Sequence, residues 1–191
     1  WLLGSAWIVF IWVRENHGYW SALCAAALVA FDPNLQAHST LVTTDAPCTF
    51  FVVLCAYLWS KTLSAPSKRS AAITGVALGL AQAVKFTSIF LVPILAIMTI
   101  FWSLKKRRLP PLFLVPILAI SALISLNFAY SWQGTFTRAD TIEWRSDSFA
   151  SMSEVELPLP VPRPWIEGLD WVKSDDDMGH GNIYLNGEMT N

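Results

Sequence analysis

Ile97-Met-Thr-Ile-Phe-Trp-Ser-Leu-Lys-Lys-Arg-Arg108 joins a long apolar run to four consecutive cations. A basic cluster that closes an apolar stretch is an orientation signal for a membrane-spanning segment. Working outward, the same signal returns in every second gap between apolar segments. Arg14 follows the first segment, and Lys61, Lys68 and Arg69 follow the third. Lys105 to Arg108 follow the fifth. The other gaps hold acids and uncharged polar groups, as in Asp32-Pro-Asn-Leu-Gln-Ala-His-Ser-Thr-Leu-Val-Thr-Thr-Asp45. This alternation is the positive-inside pattern of a polytopic membrane protein, and it assigns an inner and an outer face.

Composition agrees. Hydrophobic residues make up 54% of the chain and charged residues only 14%, which argues against a soluble domain. The net charge of -1 hides an asymmetry. Glu15 is the one acid on the predicted inner side; Asp32, Asp45 and every acid after Tyr130 fall on the outer side. The basic loops read as orientation signals, so no nucleic-acid partner is expected. Cys24, Cys48 and Cys55 lie in apolar segments without metal-ligand spacing, and they read as small buried thiols. The chain has no initiator Met and starts inside an apolar run, so it reads as an internal fragment of a longer protein.

Six apolar segments are drawn, at about 1–13, 18–31, 46–60, 70–84, 86–103 and 110–130. A full span needs roughly 20 residues, which only the last reaches comfortably. The shorter ones must extend into polar flanks or cross incompletely. Pro47 suits the first turn of the third helix, whereas Pro93 and Pro116 are expected to bend theirs. Gly75 and Gly79 form a small-xxx-small face suited to close helix contact. From about Ser131 the long apolar runs stop. The resulting expectation is an all-α membrane fold. Residues 1–130 form a polytopic transmembrane helix bundle, and residues 131–191 an irregular, partly helical extracytoplasmic segment. Within that segment Leu157 to Pro164 is expected to be extended, Ile166 to Lys173 to form a short amphipathic helix, and Trp165 and Trp171 to suit the membrane interface.

Candidate chemistry gathers at the predicted outer boundary. Asp45 precedes an apolar helix and fits its N-cap. As a functional carboxylate it would orient a cation, a sugar hydroxyl or a polar acceptor. His38 in the same loop fits interfacial hydrogen bonding, or the role of a base or metal ligand. Lys85 is the sole basic residue in any predicted outer gap before the tail. A lysine there must reach the interface or find an anion, so it either neutralises a lipid phosphate or pairs with Asp45. Asp175-Asp-Asp177 reads as a solvated turn, His180 between glycines as a loop residue, and Asn186-Gly-Glu188 as a turn with Glu188 a weak candidate. No metal site is assigned. No catalytic triad, P-loop or dinucleotide fingerprint is present.

Ala37-His-Ser-Thr-Leu-Val-Thr-Thr-Asp45 before an apolar helix resembles the outer loop of protein O-mannosyltransferase-like enzymes. These belong to the type C fold of integral membrane glycosyltransferases, together with the lipid A aminoarabinose transferases. Gly79-Leu-Ala-Gln-Ala-Val-Lys-Phe-Thr-Ser88 looks like that family's segment ending in Lys-Phe/Tyr-Thr. Leu157-Pro-Leu-Pro, Pro164-Trp-Ile-Glu-Gly168 and Tyr184-Leu-Asn-Gly-Glu188 resemble its outer stretch.

The resemblance implies transfer of a sugar from a polyprenyl-phosphate donor to a protein, lipid or glycan acceptor on the extracytoplasmic face. It implies substrate-binding roles for Asp45 and Lys85, with His38 beside them. The main catalytic acid is then expected upstream of Trp1. No cofactor follows with certainty, and a divalent cation is one option. A bacterial inner membrane is the expected location. The competing readings are a secondary transporter of an anionic solute and a non-catalytic membrane assembly protein.

Overall fold

The computed structural model describes residues 1–178, 183–185 and 188–190. The chain divides into two compact units, Trp1–Ala129 and Tyr130–Asn191. The first unit contains seven α-helices among the described residues: α1 Leu2–His17, α2 Tyr19–Ala30, α3 Pro33–Thr40, α4 Asp45–Ser64, α5 Lys68–Val84, α6 Leu91–Lys106 and α7 Val115–Ala129. Short 3-10 turns, Phe86–Phe90 and Leu112–Leu114, lead into α6 and α7.

Among the described residues three stretches are long and apolar enough to cross a membrane: Asp45–Ser64, Phe86–Lys106 and Leu112–Ala129. The fold is an all-α membrane bundle. It corrects the expectation that only the last segment has full length, because α4 has 20 residues and Phe86–Lys106 has 21. Polar flanks join α4 at small cost. Thr62 and Ser64 donate their hydroxyls to the carbonyls of Leu58 and Ser60 four residues back, so their side chains stay satisfied.

The core lies between α4, α5 and α6. Cys55, Trp59 and Leu63 of α4 meet Ala77, Leu78 and Ala81 of α5 and Leu91 and Leu95 of α6. The Trp59 indole N–H is satisfied within this layer by the Leu95 carbonyl at 3.1 Å and the Thr99 hydroxyl at 2.9 Å. Of the three cysteines only Cys55 is buried; Cys24 is exposed and Cys48 intermediate, which corrects the reading of all three as buried thiols.

Helix α5 packs against α7 through its glycines. A Cβ on Gly75 would stand 2.3 Å from the Leu118 carbonyl oxygen, and one on Gly79 would stand 2.0 Å from Ser125 Oγ. Only hydrogen fits at such a contact, so the small-residue face works as expected. The two prolines act differently from expectation. Pro93 and Pro116 stand in the first turns of α6 and α7, just past the 3-10 segments. A missing N–H costs little in a first turn, so they mark helix starts rather than bends.

The second unit is built on α8, Arg163–Met178. The extended Leu157–Leu159 stretch pairs back on residues 136–139. Phe136 N–H donates to Leu159 O at 2.9 Å, Leu159 N–H to Thr137 O at 3.0 Å, and Ala139 N–H to Leu157 O at 3.1 Å. Helix α8 starts earlier and ends later than the expected 166–173, and it absorbs Asp175 to Asp177, which were expected in a turn. Lys173 explains the extension: it pairs with Asp176 and Asp177 one turn on. Trp165 is buried, which corrects its assignment to a membrane interface. Trp171 is exposed, with the Arg145 guanidinium 4.4 Å over its ring. A short antiparallel pair, β1 Ile183–Leu185 with β2 Glu188–Thr190, follows. His180 and the Asn186-Gly187 step lie outside the described residues.

Candidate functional site

The three residues singled out at the outer boundary meet in space. Asp45 is central. Its Oδ1 receives the Lys85 ammonium at 2.5 Å and its Oδ2 stands 3.3 Å from His38 Nδ1. Three separate elements bring them together, and each is fixed locally.

Helix α3 carries His38. It starts where Asp32 caps it, accepting the Leu35 N–H at 2.8 Å, with Pro33 as its first residue. Asp-Pro is a helix-start signal, and it places a helix within the Asp32 to Asp45 stretch expected as a loop. Asp45 opens α4. Thr44 stands at the N-cap and makes no side-chain cap bond, so Asp45 is a first-turn acid and not the cap. Its carboxylate is thereby free to reach sideways, and its charge suits the positive end of the helix. Lys85 ends α5: its N–H closes the helix on Ala81 O at 3.1 Å, and its own backbone is extended. The following 3-10 turn is tied to α4 by the contact of Ser88 Oγ with Cys48 Sγ at 3.5 Å. This tie holds Lys85 beside the first turn of α4.

All three side chains are partly exposed, at 38% for Lys85, 40% for Asp45 and 47% for His38. Such exposure leaves them open to a ligand. It also leaves the pair screened by solvent, so the cluster is poorly explained as a structural clamp. It offers hydrogen-bond donors and one carboxylate within a single reach. It suits a cation poorly, because Lys85 already occupies the carboxylate. Among the described residues no three His, Cys, Asp or Glu side chains gather as a metal site.

The far end of the bundle is distinct. Glu15 at the end of α1 receives the Lys61 ammonium at 3.0 Å and the Tyr57 hydroxyl at 3.3 Å. Asp45 and Lys61 stand about 24 Å apart along α4 at 1.5 Å per residue. The Ser64 end of α4 also meets Lys106 and Arg108 around one cavity. The acid–lysine–histidine cluster and the basic tract thus occupy opposite ends of one helical unit.

A family model of dolichyl-phosphate-mannose-protein mannosyltransferases matches residues 1–129. The chain belongs to this family. The match covers the helical unit and contains His38, Asp45 and Lys85. Membership makes the chain part of an integral membrane glycosyltransferase, which sets aside the transporter and assembly readings. No curated protein and no solved structure matches it. Within the second unit, sequence reasoning missed Asp170. Its buried carboxylate accepts the backbone N–H groups of Arg145 and Ser146 at 2.7 and 3.1 Å and the Ser146 hydroxyl at 2.6 Å. In this mannosyltransferase-family chain the Asp170 carboxylate is thus closed off by its partners, whereas the Lys85–Asp45–His38 cluster is partly exposed.

Proposed function

We propose that this chain helps to transfer a sugar from a polyprenyl-phosphate donor to an acceptor on the extracytoplasmic face, with Lys85, Asp45 and His38 binding substrate at the membrane boundary. The observation that carries the reading is the partly exposed Lys85–Asp45–His38 cluster at the end of the bundle opposite the basic loops.

The chemistry follows from the donor. The bond between the anomeric carbon and the phosphate oxygen breaks, and its electron pair leaves on the phosphate. The acceptor oxygen forms the new bond to the anomeric carbon and gives its proton to a carboxylate base. By the family resemblance that base belongs to a loop before Trp1. Lys85 stabilises the charge that develops on the departing phosphate, which is the largest contribution a fixed cation makes. Asp45 holds the flexible lysine stem in position. His38 faces the other oxygen of the same carboxylate, which accepts from its ring N–H. An apolar bundle with a cation at its rim suits a ligand whose phosphate sits on a long isoprenoid tail. The acceptor is a protein, lipid or glycan, and the host membrane is a bacterial inner membrane.

The test is a lipid-donor sugar-transfer assay on the intact membrane protein. Lys85→Gln is expected to lower kcat by about 100-fold, in the range of a lost transition-state donor, with folding retained. Lys85→Arg, which keeps the charge, is expected to recover part of that loss. Wild-type turnover by Lys85→Gln contradicts the role.

A further inference from the structure

We propose that the basic end of the helical unit holds a second, phosphate-binding site formed by Lys106, Arg108 and the Trp102 indole. It is independent of the sugar-transfer reading, because it shares no residue with the Lys85 cluster.

A cavity of about 290 Å³ opens there, lined by Ser64, Trp102, Lys106 and Arg108. Ser64 closes the last turn of α4, while Trp102 and Lys106 lie one turn apart at the end of α6. Arg107 adopts a left-handed conformation, φ 51° and ψ 42°, which ends α6. Arg108 then donates its backbone N–H to Ser103 O at 3.3 Å, so the chain turns back on the helix end and returns Arg108 to the cavity.

The donor balance is uneven. Among the described residues Lys106 and Arg108 form no ion pair, and the acid at this end, Glu15, is already engaged by Lys61. Among the described residues the Trp102 indole N–H, shielded from solvent, has no acceptor, in contrast to the satisfied Trp59 in the neighbouring layer. The neighbouring Ser103 hydroxyl is likewise buried without a partner. Ser64 donates to Ser60 O, so its hydroxyl proton is already used. A site with two cations, an orphan N–H and no free acid complements a group with several acceptor oxygens and negative charge. A phosphate meets that description, and the long Lys106 and Arg108 side chains can fold over it. A tryptophan and two cations at the end of a spanning helix also match the level of a phospholipid headgroup.

Native mass spectrometry of the intact protein tests this, with lipid mixtures of phosphatidylglycerol and phosphatidylcholine. The wild type is expected to retain phosphatidylglycerol at least several-fold over phosphatidylcholine. Lys106→Gln with Arg108→Gln is expected to abolish that preference. Trp102→Phe, which keeps the charges and most of the ring, is expected to weaken it by about tenfold, as for one hydrogen bond to a charged group. Lys68→Gln with Arg69→Gln removes equal charge outside the cavity and is expected to leave it intact. Millimolar inorganic phosphate then separates the sources: competition assigns the site to a soluble phosphate, and retention of the lipid assigns it to a headgroup. Equal retention of both lipids by the wild type overturns the site. So does an equal loss in the two double variants, or unchanged binding by Trp102→Phe.

Discussion

Asp45 serves two partners with its two oxygens, so its charge rather than its shape sets the cluster. Asn in its place keeps the volume and loses the pull on Lys85 and His38. Had Asp45 been the N-cap, Asn would have substituted well, since both cap equally. With Thr44 at the cap that protection is gone. Asp45→Asn is therefore expected to lower sugar transfer by at least tenfold while shifting the melting temperature little, because a solvent-screened ion pair adds little stability. A transfer assay beside a thermal melt checks both halves.

Asp170 makes the opposite case. Burial pushes its carboxyl up, but the Ser146 hydroxyl, the two backbone N–H groups and the Arg145 charge outweigh that and hold it below the ordinary carboxylate value. A group lowered in the folded state contributes stability above its unfolded pKa and loses it as pH falls through the folded value. Proteolysis of the second unit should accelerate as pH drops below about 4, the ordinary Asp range. Asp170→Ala should cost about 2–3 kcal/mol at neutral pH by stranding buried N–H groups, read as faster proteolysis there. The two acids also mark what the sequence can reveal. His38, Asp45 and Lys85 stand out as polar groups at the edges of apolar runs. Asp170 has no such edge, and its partners are backbone groups 24 and 25 residues away.

At the scale of elements, the contact between α5 and α7 is the most sensitive. Gly79→Ala puts a methyl 2.0 Å from Ser125 Oγ and 2.2 Å from the Ala122 carbonyl oxygen. Backbone cannot retreat as a side chain can, so the helices must separate. A loss of about 1–3 kcal/mol is expected, typical of overpacking. Val76→Ala, on the exposed side of the same helix, should stay within about 0.5 kcal/mol. Unfolding of the purified protein in detergent compares the two. This contact was legible because glycines four apart leave a groove along one helix face. Helix ends were less legible. Pro93 and Pro116 look internal when only apolar runs are counted, because the 3-10 turns before them are apolar too. Helix α3 was missed because its polar residues show no amphipathic period, although its Asp32-Pro33 start is a capping signal.

At the scale of the whole molecule, the alternation of charge along the chain has its counterpart in the helical unit. Lys61, Lys106 and Arg108 gather at one end, and Lys85 with Asp45 at the other. Apolar runs and basic loops carry this information because the bilayer imposes it on every segment alike. The second unit carries no such alternation, and its buried Trp165 and long α8 depend on contacts that no local pattern announces. The family match likewise ends at residue 129, where the helical unit ends.

Sugar transfer at Lys85 requires that its end of the bundle face the compartment opposite the basic tract. Single cysteines at Thr43 and Arg107, in a background without Cys24, Cys48 and Cys55, give the most direct measurement. With a membrane-impermeant maleimide added to the extracytoplasmic side of sealed membranes, the cysteine at Thr43 is predicted to label at once and that at Arg107 only after permeabilisation. Labelling of both positions from the same side contradicts the account.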